Sequence, residues 1–145
     1  MKKVRVDEKS IDIISNFVSR VVHSYEDDIR FEGAYVVCGE EEETLTHVGL
    51  HLVYIDYTFK SDKVVSMAEE VYEKTGVCVS VSAHPYWMYG GRPSDTYVES
   101  IMMGDIIYDR NGNLGETKRI FELENRKLAM DKAFVEPPIQ YKKVI

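Results

Sequence analysis

His47 and His51 stand four apart in the run His47-Val48-Gly49-Leu50-His51-Leu52-Val53. On a regular strand that spacing puts both imidazoles on one face. With His84 they make a candidate metal set, joined by Asp56 or Cys78, because imidazole, thiolate and carboxylate are the usual ligands of zinc and its neighbours. Four residues of strand span roughly 13 Å, so His47 and His51 share one ion only if the chain bends at Gly49. A satisfied strand-end histidine is the plainer reading, and no metal is assigned on sequence alone. A second candidate is the segment His84-Pro85-Tyr86-Trp87-Met88-Tyr89-Gly90-Gly91-Arg92. Aromatic rings stack on a planar ligand, paired glycines let backbone approach it, and a guanidinium grips carboxylate or phosphate through two bonds. His84, Tyr86, Trp87 and Arg92 are therefore the candidate ligand-binding residues. The competing reading folds the aromatics over a sheet edge and pairs Arg92 with a neighbouring acid. Cys38 and Cys78 lie in apolar runs without a reactive-cysteine signature, which predicts two buried thiols and no cysteine catalysis.

The elements that position these residues follow from periodicity. Ser10 is a candidate N-cap for a helix over Ile11 to Asp28, with Ile14, Phe17, Val18, Val21, Val22 and Tyr25 at helical spacing. Phe31 to Gly39 reads as a strand, followed by Glu40-Glu41-Glu42-Glu43 on the surface, as a loop or the first turn of a short helix. His47 to Phe59 reads as a long central strand. A helix capped by Ser61 or Asp62 runs to Thr75-Gly76, and Val77 to Ser82 is a short strand with only one wholly hydrophobic face. The aromatic loop Ala83 to Arg92 leads through Pro93-Ser94 into a helix ending at Met103-Gly104. Asp105 to Tyr108 forms a last strand, and Asn111-Gly112 predicts a hairpin reaching Leu114. Glu116 to Phe134 closes as a helix carrying Ile120, Leu123, Leu128 and Met130. Glu136-Pro137-Pro138 stops it, and the Tyr141 to Ile145 tail follows. One domain accommodates everything, with residues 1–115 as core and 116–145 as C-terminal helix and tail.

Charge and hydropathy exclude several functions. The chain of 145 residues carries a net charge of −7, which disfavours broad binding to nucleic-acid backbones, since that binding works by displacing counterions with Lys and Arg. From Glu116 onward the balance reverses to about +2, leaving about −9 on the rest. No apolar run approaches the ~20 residues of a membrane span, and the N-terminus lacks the apolar middle of a signal peptide, so the expected compartment is the cytoplasm.

The succession helix, strand, strand, helix, strand, helix, strand resembles the minimal core of the nucleotidyltransferase superfamily, the polymerase-beta-like fold. Local support comes from Ser94-Asp95-Thr96-Tyr97-Val98-Glu99-Ser100-Ile101 through Gly104-Asp105-Ile106-Ile107-Tyr108-Asp109, which looks like the helix, glycine and strand closing small members. The resemblance implies an α/β (α+β) fold: a mixed sheet of about four strands flanked by helices. In active members a glycine-serine turn closes the first strand, two aspartates alternate on the second, and a third carboxylate sits on the third. The corresponding stretches here are Val37-Cys38-Gly39-Glu40, Val48-Gly49-Leu50-His51-Leu52-Val53 and Cys78-Val79-Ser80-Val81. Magnesium prefers oxygen ligands, so Gly49 and His51 remove its natural partners.

The leading expectation is a nucleotidyltransferase-like domain without its metal carboxylates, binding a nucleotide-like ligand or a protein partner and doing no catalysis. An active transferase would need an altered metal site, for which Glu40, His51 and Asp56 are the candidate residues, with magnesium and a nucleotide as its cofactor and substrate. The third alternative is an interaction module, in which the C-terminal helix and the Pro137-Pro138 tail form a homodimer or recruit a partner.

Overall fold

The computed structural model describes residues 8–41, 44–91 and 95–135. Its elements run α1 (Glu8–Tyr25), β1 (Phe31–Glu41), β2 (Thr44–Tyr54), α2 (Asp62–Thr75), β3 (Val79–Pro85), a 3-10 turn (Tyr86–Gly90), α3 (Thr96–Met103), β4 (Asp105–Asp109) and α4 (Asn113–Val135). The four strands form one mixed sheet in the order β3-β2-β1-β4. β1 pairs antiparallel with β2 and β4, while β2 and β3 are parallel, joined through α2. This is the α+β arrangement expected from the order of segments. Among the described residues no helix is long and apolar enough to cross a membrane.

Side-chain alternation divides the sheet between two helical layers. Ala34, Leu50, Leu52 and Val79 face α1 and α2, closing over Phe17, Val21, Val64 and Val71. The opposite face carries Tyr35 and Val53, covered by Tyr89, Val98 and Ile101 and by the first turns of α4 through Leu114 and Phe121. Gly104 lets α3 end directly on this layer, because a Cβ there would come within 2.6 Å of the Tyr35 ring.

Several boundaries differ from the sequence expectation, among them both ends of α1, which runs Glu8–Tyr25, and the start of α4 at Asn113. The acidic run forms neither a loop nor a helical turn at its start: pairing of Glu40 with Leu45 and of Glu41 with Thr44 carries β1 and β2 into a hairpin, with Glu42 and Glu43 outside the described residues. β2 ends at Tyr54 rather than Phe59, because Asp56 accepts bonds from the backbone N–H and hydroxyl of Thr58 at 2.9 and 2.8 Å and turns the chain. β3 begins later and reaches Pro85, since its parallel register pairs Val48 with Val79 through Tyr54 with Pro85. His84 therefore belongs to the strand rather than to a loop. Both cysteines are exposed rather than buried, Cys38 toward the hairpin end of β1 and Cys78 just before β3, in an open groove beside Ala68 and Tyr72 of α2.

The Asn111-Gly112 segment forms a junction, not a hairpin. Gly112 adopts φ 76°, the left-handed region that glycine enters without a Cβ clash. Asp109 accepts from the backbone N–H groups of Leu114 and Gly115 at 3.1 and 2.9 Å, satisfying the first turn of α4. Arg110 points the other way. Its Nη2 donates to the carbonyls of Glu26 and Asp28 at 2.6 and 2.8 Å, and its Nε to that of Phe31 at 2.7 Å, holding the C-terminal end of α1. Asn111 and Asn113 donate to the carboxylate of Glu32 at 3.0–3.1 Å, and Glu32 is only 1% exposed. Arg110→Met should lower the unfolding free energy by roughly 2 kcal/mol, the scale of hydrogen bonds made by a charged group. Urea unfolding checks this: the midpoint should fall with its slope unchanged, whereas a shift below about 0.5 kcal/mol would make the junction incidental.

Candidate functional site

The polar face of the sheet gathers what the sequence separates. Register pairs Gly49 with Ser80, His51 with Ser82 and Val53 with His84 across β2 and β3, and Tyr35 with His51 across β1 and β2. His51 Nδ1 lies 2.9 Å from His84 Nε2. The His51 ring stacks on Tyr35 with centroids 4.7 Å apart and planes 4° from parallel. His84 meets Tyr97 edge to face at 4.9 Å and Tyr89 at 6.4 Å. Beneath them Tyr35 and Tyr89 share a hydroxyl bond of 2.7 Å, and Tyr35 donates to Ser100 at 3.1 Å. These buried phenols bind β1 to the 3-10 turn and α3, which fixes the platform under the imidazoles.

The two histidines are half-buried, and burial favours their neutral forms. Burial, reinforced by the neighbouring His84, brings the pKa of His51 down to about 4, and burial also lowers that of His84. Burial likewise raises both phenols, Tyr35 and Tyr89. A ring-centroid separation of 5.1 Å for nitrogens 2.9 Å apart means that the imidazoles meet nearly head-on, as an N–H···N bond requires. An ion placed on that line would need the nitrogens roughly 4 Å apart at ordinary metal–imidazole distances. Among the described residues no three His, Cys, Asp or Glu side chains gather as a metal would need.

His51 also accounts for Gly49. A Cβ at Gly49 would stand 3.3 Å from His51 Nε2, so the ring leans over the place where a side chain would otherwise rise. His51 therefore presents Nε2 above a bare stretch of backbone. That nitrogen is a donor or an acceptor according to which member of the pair carries the shared hydrogen.

The other sequence candidates scatter. Asp56 lies in the turn beyond β2, held by Thr58, whose two hydrogen bonds keep its carboxyl below the usual range. Glu40 pairs at the opposite end of β2, about 30 Å of strand away, so Glu40, His51 and Asp56 do not converge on one ion. His47 follows Glu40 toward the hairpin, opposite Gly39; for Glu40 and His47 only the backbone lies within the description. Tyr86 donates or accepts at Thr117 Oγ1, 2.8 Å away, and so ties the 3-10 turn to α4. Trp87 is 61% exposed and sits edge-on to Tyr54. Arg92 lies outside the described residues. Sequence reasoning missed Tyr35, Tyr97 and Ser100, and gave Tyr89 no role beyond its place in the aromatic segment. The parity of β1 was the available signal, because Tyr35 shares its face with Val37 and Gly39.

No family model and no curated protein matches this chain. Among solved structures, a mutant form of the toxin-antitoxin MntA-HepT is similar with a TM-score of 0.47 at 8% identity, over 87% of this chain and 97% of that one. A second crystal structure of the toxin-antitoxin MntA-HepT gives a TM-score of 0.45 at 8% identity, over 87% and 98%. No residue role passes from them to this chain.

The neutral pair has a pH signature. Because the folded pKa of His51 lies below the unfolded value near 6.5, the unfolded chain binds the proton more readily, and stability is lost as pH falls from 6.5 toward 4. Partial exposure moderates the effect to roughly 1–2 kcal/mol between pH 7 and 5. Denaturant unfolding of wild type and His51→Gln at both pH values measures it; the variant should lose most of the dependence, and parallel pH curves would refute the pair's neutrality.

Proposed function

We propose that this chain is a nucleotidyltransferase-like domain in which His51, paired with His84, stands where a metal-binding carboxylate would be, and that it binds a nucleotide-like ligand without transferring it. The observation that carries this reading is the contact of His51 with His84 on the face that also bears Gly49 and Ser80. Gly49 and His51 are the strand positions at which the sequence resemblance calls for acids. A hydrogen-bonded imidazole pair with His51 Nε2 beside Gly49 suits the edge of a nucleobase, whose donors and acceptors alternate as the two tautomers do. Tyr97 and Tyr89 wall the pair with aromatic surface, and Trp87 and Arg92 are the sequence's candidates for stacking on a base and gripping a phosphate. Magnesium prefers oxygen ligands, and among the described residues no three His, Cys, Asp or Glu side chains gather to hold an ion.

Thermal unfolding against ATP, GTP, CTP and UTP, each with EDTA or with Mg²⁺, tests the reading. A ligand at a hundred times its dissociation constant stabilises the native state by about 2.7 kcal/mol, a rise of roughly 5–10 °C for a domain this size. The rise should persist in EDTA and disappear in His51→Ala and His84→Ala. A rise that requires Mg²⁺ and accompanies transfer of labelled nucleotide would restore the transferase alternative. No rise with any nucleotide would leave a protein partner as the occupant of this face.

A further inference from the structure

Beyond its first three turns α4 leaves the domain. Leu114, Thr117 and Phe121 are buried, at 0%, 9% and 5% exposure, but every described residue from Leu123 to Asp131 is exposed. The remaining residues of the helix project about 20 Å, and a helical segment of that length is marginal in water unless something packs on it. Among the described residues, three of its four large exposed apolar side chains share a face, the fourth, Leu128, continuing the docked side. Ile120, Leu123 and Met130, exposed by 41%, 48% and 58%, fall with the Lys127 stem on one stripe. At 100° per residue that stripe is turned about 130° from the docked face.

The stripe has heptad spacing. With Ile120 and Lys127 at a, Leu123 and Met130 occupy d. The g positions are then Arg119 and Arg126, and the e positions Glu124 and Asp131. All the basic g positions lie on one flank and all the acidic e positions on the other. In a parallel pair of helices each g residue faces the e residue five places on in its mate. Arg119 meets the second copy's Glu124, and Arg126 meets the second copy's Asp131. An antiparallel pair would set g against g and e against e, arginine on arginine and carboxylate on carboxylate. Among the described residues Glu124, Arg126 and Asp131 have no ion-pair partner, and Arg119 engages only Glu116 on its own exposed helix face.

We propose that α4 pairs in parallel with α4 of a second copy of this chain, through the Ile120, Leu123 and Met130 stripe and the Arg119–Glu124 and Arg126–Asp131 cross-pairs. Because the docked face lies away from the stripe, a two-fold axis along the seam carries the two domains to its outer sides and leaves the His51 face of each open. The inference does not rest on ligand binding: the stripe can pair whether or not the imidazoles hold a nucleotide. Two heptads make a short seam, so the dimer forms in a concentration-dependent way, and a lysine at an a position fixes register at some cost in affinity.

Sedimentation equilibrium of the full chain from micromolar to millimolar concentration is the test. The wild type should populate a dimer, and Arg126→Glu should weaken it about tenfold by turning both symmetry-related cross-pairs repulsive. Adding Asp131→Lys to Arg126→Glu should restore it. In a Cys38→Ser, Cys78→Ser background, Leu123→Cys should oxidise to a covalent dimer, because only a parallel seam brings a d residue against its own counterpart. A monomer at every concentration, a dimer insensitive to Arg126→Glu, or a dimer that Leu123→Cys does not cross-link would each overturn the proposal.

Discussion

A buried carboxylate needs hydrogen-bond donors, and Glu32 finds them only if the chain after β4 turns at one place. Asn111 and Asn113 have to reach it, Gly112 must take the left-handed conformation between them, and Arg110 is thereby aimed at the carbonyl end of α1. Asp109 simultaneously caps α4. Five consecutive residues therefore couple the end of one helix, the start of another and the middle strand of the sheet. The consequence reaches the site. α4 begins where Leu114 and Phe121 can close the layer that also holds Tyr89, Val98 and Ile101 over Tyr35, and Tyr35 is the surface on which His51 lies.

The site follows from what each strand presents to that layer. β1 contributes a phenol, β2 a glycine and an imidazole, and β3 two serines and a second imidazole. Nothing among them carries charge near neutrality once burial has lowered both histidines. A face of this kind attracts neither magnesium nor polyphosphate by Coulombic force. Its discrimination rests on hydrogen-bond direction and on the flat aromatic surfaces beside it, which suits a heterocycle better than a phosphate chain.

The order and type of the elements were readable from periodicity, because apolar residues recur at helical spacing through Phe17, Val21 and Tyr25 and alternate through Val77, Val79 and Val81. Ends were harder to read, for local physical reasons. Asp56 stops β2 by a side-chain turn that an aromatic-rich run conceals, and β3 is extended to Pro85 by its register against β2, which no single segment encodes. The DRNGN junction has the composition of a hairpin turn, and only the need of Glu32 and α1 for donors makes it a strand-to-helix connection. His51 and His84 were both singled out by residue type, but as members of a metal set with the distant His47; their direct contact depends on parallel pairing across the α2 connection. Tyr35 passed as one more apolar strand residue. The exposure of the cysteines ran against their apolar neighbours: Cys78 precedes the first paired residue of β3 and Cys38 lies toward the hairpin end of β1.

The central claim is that His51 and His84 form a neutral, directly bonded pair at the heart of the polar face. Long-range ¹H–¹⁵N correlation of the imidazole nitrogens across a pH titration tests it most directly. The expected result is that His51 keeps the shifts of a neutral, tautomer-locked imidazole down to about pH 5.5 and that His84 titrates below its ordinary value, with one protonated and one bare nitrogen facing each other. Two independent titrations near the ordinary histidine value of about 6.5 would contradict it.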